Sequence, residues 1–255
     1  MIYWNGCSFV RGMEVDKRKH KFAWSVSEHF NQECINQAKV GGSNDRIWRT
    51  VVNDVPHFFQ PKLVIIMWSG INRMEYLDWA PLDRHEFVWR AANWANFKWN
   101  PKTGFIDKEN SMITKNPTPN VIKKSLQDYM LHVRNMPYNL IYNLHYMYTT
   151  NVYLESLGYN VLNYTMSKTP YTYLPDYLNK EWREGANFVW ETPQLNKEAW
   201  FEKLPFLKEE GFYDMCKKAK VPFGPKDHPL EEGHALMHDR IIKDIWKYGF
   251  NKEFN

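Results

Sequence analysis

The run Leu63-Val64-Ile65-Ile66-Met67-Trp68 constrains this chain most. It follows Pro61 and stops at Ser69-Gly70-Ile71-Asn72. Six apolar residues without alternation read as a strand covered on both faces, the pattern of a parallel strand with helices above and below it. The flanking segments fit that reading. Met1–Asn5 is a short buried strand ending at Gly6, and Glu33–Ala38 is a second strand. Phe22, Val26 and Phe30 fall at helical spacing. After the Gly41-Gly42 turn, Ser43 or Asn44 can cap a helix running through Val52. Val121 to about Leu157 has a helical pattern, with a break expected near Pro137 and an end at Gly158. Tyr159–Tyr164 is a further strand. Residues 166–195 read as loop, Trp200–Lys218 as partly helical with breaks at Pro205 and Gly211, and Leu230–Tyr248 as a closing helix.

Strand–helix alternation predicts a mostly parallel sheet with helices on both faces. The expected fold is one domain over residues 1–255: a three-layer α/β/α sandwich on a flavodoxin-like sheet of about five strands, with a helical or loop insertion after the third. Residues 77–118 carry Pro81, Pro101 and Pro117 among Trp79, Trp89, Trp94 and Trp99, and are expected to form that insertion or a lid. With 12 Trp, 15 Tyr and 15 Phe in 255 residues, the rings can either present faces to sugars or fill a core or interface.

Charge excludes some classes. The net charge is +4, and the one dense basic run, Lys17-Arg18-Lys19-His20, is the size of a solvated loop, so nucleic-acid binding is not expected. Three cysteines, Cys7, Cys34 and Cys216, cannot all pair and form no CxxC, which suits a reducing compartment. No secretory leader and no apolar run of membrane-spanning length is evident, so a cytoplasmic location is the expectation.

In such folds the working site lies at the carboxyl ends of the strands. That topology gathers the loops at Gly6-Cys7-Ser8, Gly41-Gly42 and Gly70-Ile71-Asn72. They supply a serine, a glycine turn and an asparagine, and the late loop Asp227-His228-Pro229 supplies a histidine. A serine hydroxyl becomes a nucleophile when a base takes its proton, and attack on an ester needs donors placed for the oxyanion.

These segments resemble the blocks of the SGNH/GDSL hydrolases. Gly6-Cys7-Ser8-Phe9-Val10-Arg11-Gly12 is similar to the first block, GDSxxxG. Asn36 to Ser43 resembles the second, Gly70-Ile71-Asn72 the third, and His228-Pro229 with Gly233-His234 the last. The look of GCSF, GGSNDRI and WSGINRMEY is also similar to SGNH-like proteins of tailed phages. The resemblance implies a serine esterase without a cofactor. Ser8 would be the nucleophile, His228 its base, and the N–H groups of Ser8 and Gly41 with the Asn72 amide the oxyanion donors. A small ester or an acylated glycan would be the substrate, as in a carbohydrate O-deacetylase.

The chain departs from the family pattern in three places. Cys7 replaces the Asp before the serine and is read as a buried thiol. Arg73 replaces the Asp after the third-block asparagine. The acid of the last block, DxxH, falls at Pro225, while Asp227 adjoins the histidine. Asp227 is the candidate third member if its loop is bent; otherwise another acid serves or the site is a Ser–His dyad. The missing acid also motivates a second reading, a weakly active or inactive SGNH-fold module for binding or structure, associated with itself or with a virion. His228, His234 and His238 lack a further ligand at metal-binding spacing, so no metal is expected.

Overall fold

The computed structural model describes residues 1–71, 73–79, 87–93, 99–100, 105–106, 136–167 and 203–254. Strand β1 (Ile2–Asn5) pairs in parallel with β2 (Cys34–Asn36) on one side and with β3 (Leu63–Trp68) on the other. After β3 the chain forms two antiparallel pairs, β4 (Arg73–Trp79) with β5 (Phe87–Asn93) and β6 (Trp99–Asn100) with β7 (Phe105–Ile106). It returns as β8 (Val161–Thr165), parallel to β3. The main sheet therefore runs β2-β1-β3-β8, with four strands among the described residues.

Among the described residues six α-helices accompany the sheet: α1 (Ser8–Arg11), α2 (Phe22–His29), α3 (Asn44–Asp54), α4 (Met136–Ser156), α5 (Phe212–Lys218) and α6 (Glu231–Lys247). The strands alternate side chains between two cores. Ile2, Trp4, Leu63, Ile65 and Met67 pack with Phe22 and Val26 of α2, Phe212 of α5, and Met237 and Ile241 of α6. Tyr3, Val64, Ile66 and Trp68 pack on the other face with Ile47 and Val51 of α3 and Leu144 and Met147 of α4. The fold is thus a three-layer α/β/α sandwich, and no residue of β3 is more than 2% exposed. Burial on both faces is why that strand has no polar alternation. No helix among the described residues is long and apolar enough to cross a membrane.

Several boundaries differ from the sequence expectation. The segment after β3 carries β-hairpins where helix or loop is expected. Pro81 falls between β4 and β5, and the aromatic and β-branched residues of Phe87-Val88-Trp89 favour strand over helix. Pro137 is the second residue of the described part of α4, which runs on unbroken to Ser156. The expected helical stretch 121–135 and most of the 77–118 and 166–195 segments lie outside the described residues. Pro205 opens a 3-10 turn, Pro205–Lys208, and Gly211 is the N-cap of α5; both delimit elements without breaking one.

Candidate active site

The carboxyl end of β1 carries the candidate site. β1 ends at Asn5, whose Oδ1 accepts the Gly6 N–H at 2.8 Å and whose Nδ2 donates to Thr50 Oγ1 at 2.7 Å, fixing the exit of the strand. Cys7 caps α1, and Ser8 is its first residue. A first-turn amide has no intrahelical acceptor, so the Ser8 N–H faces outward from the helix start. The Cys7 side chain is fully buried in the core with Phe9 and Val10 and has Met166 Sδ at 3.9 Å. The two neighbouring side chains point apart: the thiol into the core, the hydroxyl toward the histidine loop.

Ser8 Oγ lies 2.8 Å from His228 Nε2, a contact spanning 220 residues of sequence. The other ring nitrogen, Nδ1, lies 3.0 Å from Glu14 Oε2. The same carboxylate accepts the Lys226 N–H on both oxygens, at 3.0 and 3.1 Å, and the His228 N–H at 3.3 Å. A carboxylate already facing those donors requires a proton on Nδ1, which leaves Nε2 as acceptor for the Ser8 hydroxyl. The His228 and Glu14 side chains are 12% and 13% exposed, and Phe9 packs on the imidazole with ring centroids 5.1 Å apart.

Local backbone explains how Glu14 gets there. α1 is closed by Gly12 in the left-handed region at φ 67°, whose N–H returns to Phe9 O, and Glu14 itself has φ 68°. Two such residues in three double the chain back beneath the histidine loop. On the opposite side Gly224 makes room: a Cβ there would sit 2.7–2.9 Å from the Glu14 carboxyl atoms. Partial desolvation pushes the Glu14 carboxyl up. The Lys226 N–H, the His228 ring and N–H, and the His228 charge outweigh it and hold the group below the ordinary carboxylate range.

Asp227 does not orient the imidazole. The residue adopts φ 59°, its N–H closes a turn onto Gly224 O at 2.9 Å, and its side chain is turned outward. There its carboxylate accepts the Tyr213 hydroxyl at 2.7 Å and pairs with Lys217 at 3.4 Å. The acid at the ring is Glu14, which the sequence reading did not single out. Its signal was available: an acid two residues past the glycine that ends the serine's helical turn.

The glycine turn packs on the same spot. Lys39 N–H donates to Gly6 O at 3.2 Å, Gly42 N–H is taken by Lys39 O at 2.9 Å, and a Cβ on Gly42 would lie 3.8 Å from Cys7 Cα. Gly41 is thereby brought beside the start of α1. Asn72 lies outside the described residues. The other two histidines of that sequence pattern, His234 and His238, are engaged elsewhere. His234 is buried, accepts the Phe22 N–H on Nδ1 at 3.2 Å and stacks on the Phe22 ring. His238 contacts Asp239 at 3.1 Å. Burial, with smaller contributions from the charges of Lys21 and His228, pushes His234 down to about 3.

Residues 11–109 match a family model whose description reads "Family of unknown function (DUF6071)". No curated protein matches the sequence. Among solved structures, the chain is similar to an acetyl xylan esterase (Est2A) from the rumen bacterium Butyrivibrio proteoclasticus, with a TM-score of 0.42 and 11% identity. That superposition covers 98% of this chain and 64% of the other, so the chain spans less than two thirds of that structure. The chemistry therefore rests on the residues of the site.

Proposed function

We propose that the protein is a serine acyl hydrolase with Ser8 as nucleophile, His228 as general base and Glu14 as the acid that orients it. The observation that carries this reading is the continuous line Ser8 Oγ, His228 Nε2, His228 Nδ1, Glu14 Oε2, with contacts of 2.8 and 3.0 Å. In the acylation step Ser8 Oγ attacks an ester carbonyl while Nε2 takes the hydroxyl proton. The imidazolium that forms is stabilised by the Glu14 carboxylate, and its proton then goes to the departing alcohol. Water, deprotonated by the same nitrogen, releases the acyl group from Ser8. The Ser8 and Gly41 N–H groups and the Asn72 amide are the proposed oxyanion donors, each worth roughly 10²–10³ in kcat.

We assign a small acyl ester as substrate, an acetylated glycan being the class for which the aromatic-rich sequence after β3 is suited. The reading of an inactive module drew on the missing acid at position 225, and Glu14 removes that motive. The test is hydrolysis of p-nitrophenyl acetate by wild type and Ser8→Ala. Turnover abolished in the variant, with an unchanged melting temperature, supports the assignment; equal turnover by the two proteins overturns it.

A further inference from the structure

Beside the triad, α3 and α4 each contribute a buried asparagine, Asn44 at 0% and Asn143 at 2% exposure. Asn44 grips Ser69 as a neighbouring strand would. Its Oδ1 accepts the Ser69 N–H at 2.6 Å, and its Nδ2 donates to Ser69 O at 3.0 Å. The same Nδ2 donates to Asn143 Oδ1, and Asn143 Nδ2 donates to Ile71 O at 3.3 Å. Ser69 Oγ, in turn, accepts from the Arg73 guanidinium at 2.9 Å. Asp45 adds a strap from the other direction. One of its oxygens accepts the Ser43 hydroxyl, and the other accepts the Glu75 N–H of β4 at 3.1 Å.

Burying two amides is costly unless their groups are bonded, and an apolar pair would fill the space without that demand. What the amides supply is a loop with its backbone atoms held at fixed points. Asn44 directly follows the Gly41–Ser43 turn, which rests on Gly6 and Cys7. The 69–71 loop and the glycine turn are therefore one bonded unit, anchored through Asn143 to α4. We infer that Asn44 and Asn143 are positioning residues that lock these two loops together, so that the oxyanion donors are aimed before charge develops. The inference rests on the acyl-hydrolase reading above.

The experiment compares wild type, Asn143→Ala and Asn44→Ala, with competent serines counted by titration with a fluorophosphonate. Per titrated serine, kcat on p-nitrophenyl acetate should fall about 10- to 100-fold with KM within twofold of wild type, the pattern of lost transition-state binding. The double variant should be no worse than the poorer single one, because the two residues act as one unit. A merely structural role would lower the count of titratable serines and leave kcat per serine within threefold, which overturns the inference. Amide hydrogen exchange supplies a second readout. Asn143→Ala should speed exchange at 41–43 as well as at 69–71, although the 41–43 turn is a step removed from it; loosening confined to 69–71 overturns the coupling. If wild type neither turns over nor labels, the acyl-hydrolase reading fails, and the exchange result still decides whether the loops are coupled. Should Asn143→Ala not fold, Asn143→Asp, which can still accept from Asn44 but sets a carboxylate oxygen against the Ile71 carbonyl in place of the Nδ2 donor, is measured in the same way.

Discussion

Replacing Glu14 by Gln tests the proposed triad at its least expected member. The side chain keeps its shape, but four donor contacts, three to Oε2 and one to Oε1, meet an amide in place of a carboxylate. If the amide oxygen faces Nδ1, its NH2 meets the Lys226 N–H at about 3 Å, donor against donor. If it flips, the NH2 faces Nδ1 and forces the proton to Nε2, leaving Ser8 without a base. In either arrangement the imidazolium loses its counter-charge. Removing a fully buried triad acid costs on the order of 10⁴ in kcat. Glu14 is 13% exposed, so water replaces part of its effect, and we expect a loss of roughly 10²–10³. KM should change little, because the acid acts on the transition state. The assay is kcat on p-nitrophenyl acetate for Glu14→Gln beside Asp227→Asn, with melting temperatures for both. Asp227→Asn should stay within about threefold of wild type, since that side chain is spent on Tyr213 and Lys217. Retained activity in Glu14→Gln with loss in Asp227→Asn would refute the assignment of the acid.

Two further outcomes follow from the same geometry. Gly224→Ala places a methyl group 2.7–2.9 Å from the Glu14 carboxyl atoms, so the carboxylate must shift off the ring; kcat on p-nitrophenyl acetate should drop at least roughly tenfold. His234 is held near a pKa of about 3 against an ordinary 6.5. The unfolded chain binds a proton there before the folded one does, so stability is full above about 6.5 and falls as pH drops toward 3. The slope is roughly 1.4 kcal/mol per pH unit, for a total on the order of 5 kcal/mol. Urea midpoints across that range should fall for wild type and flatten in His234→Phe, which at neutral pH loses about 1–3 kcal/mol by orphaning the Phe22 N–H. An equally steep fall in the variant would assign the acid sensitivity elsewhere.

Much of the architecture was legible from sequence. The Leu63–Trp68 run announced a doubly covered strand, and parallel α/β topology gathered the Ser8 loop with the glycine turn, while the resemblance of His228-Pro229 to the last SGNH block pointed to the histidine that meets Ser8. What escaped depends on backbone signs that side-chain types do not encode. Asp227 turns outward because its φ is 59°, and Glu14 turns inward because Gly12 and Glu14 both enter the left-handed region. The β4–β5 hairpin was hidden because Pro81, weighed as a breaker, falls between its two strands. The Asn44–Asn143 pair joins residues 99 positions apart, and no local pattern signals such a bond.

The Glu14 carboxylate ties down the backbone of the histidine loop as well as its ring. The SGNH/GDSL pattern that these segments resemble keeps its acid within the histidine loop, whereas the carboxylate facing the ring here sits on a different loop. In this chain position 225 is a proline and position 227 a surface acid held by Tyr213 and Lys217. A search keyed to an acid three residues before the histidine would pass over every protein wired in this way. A search keyed to an acid shortly after the nucleophile's glycine, opposed by a glycine ahead of the histidine, would retrieve them.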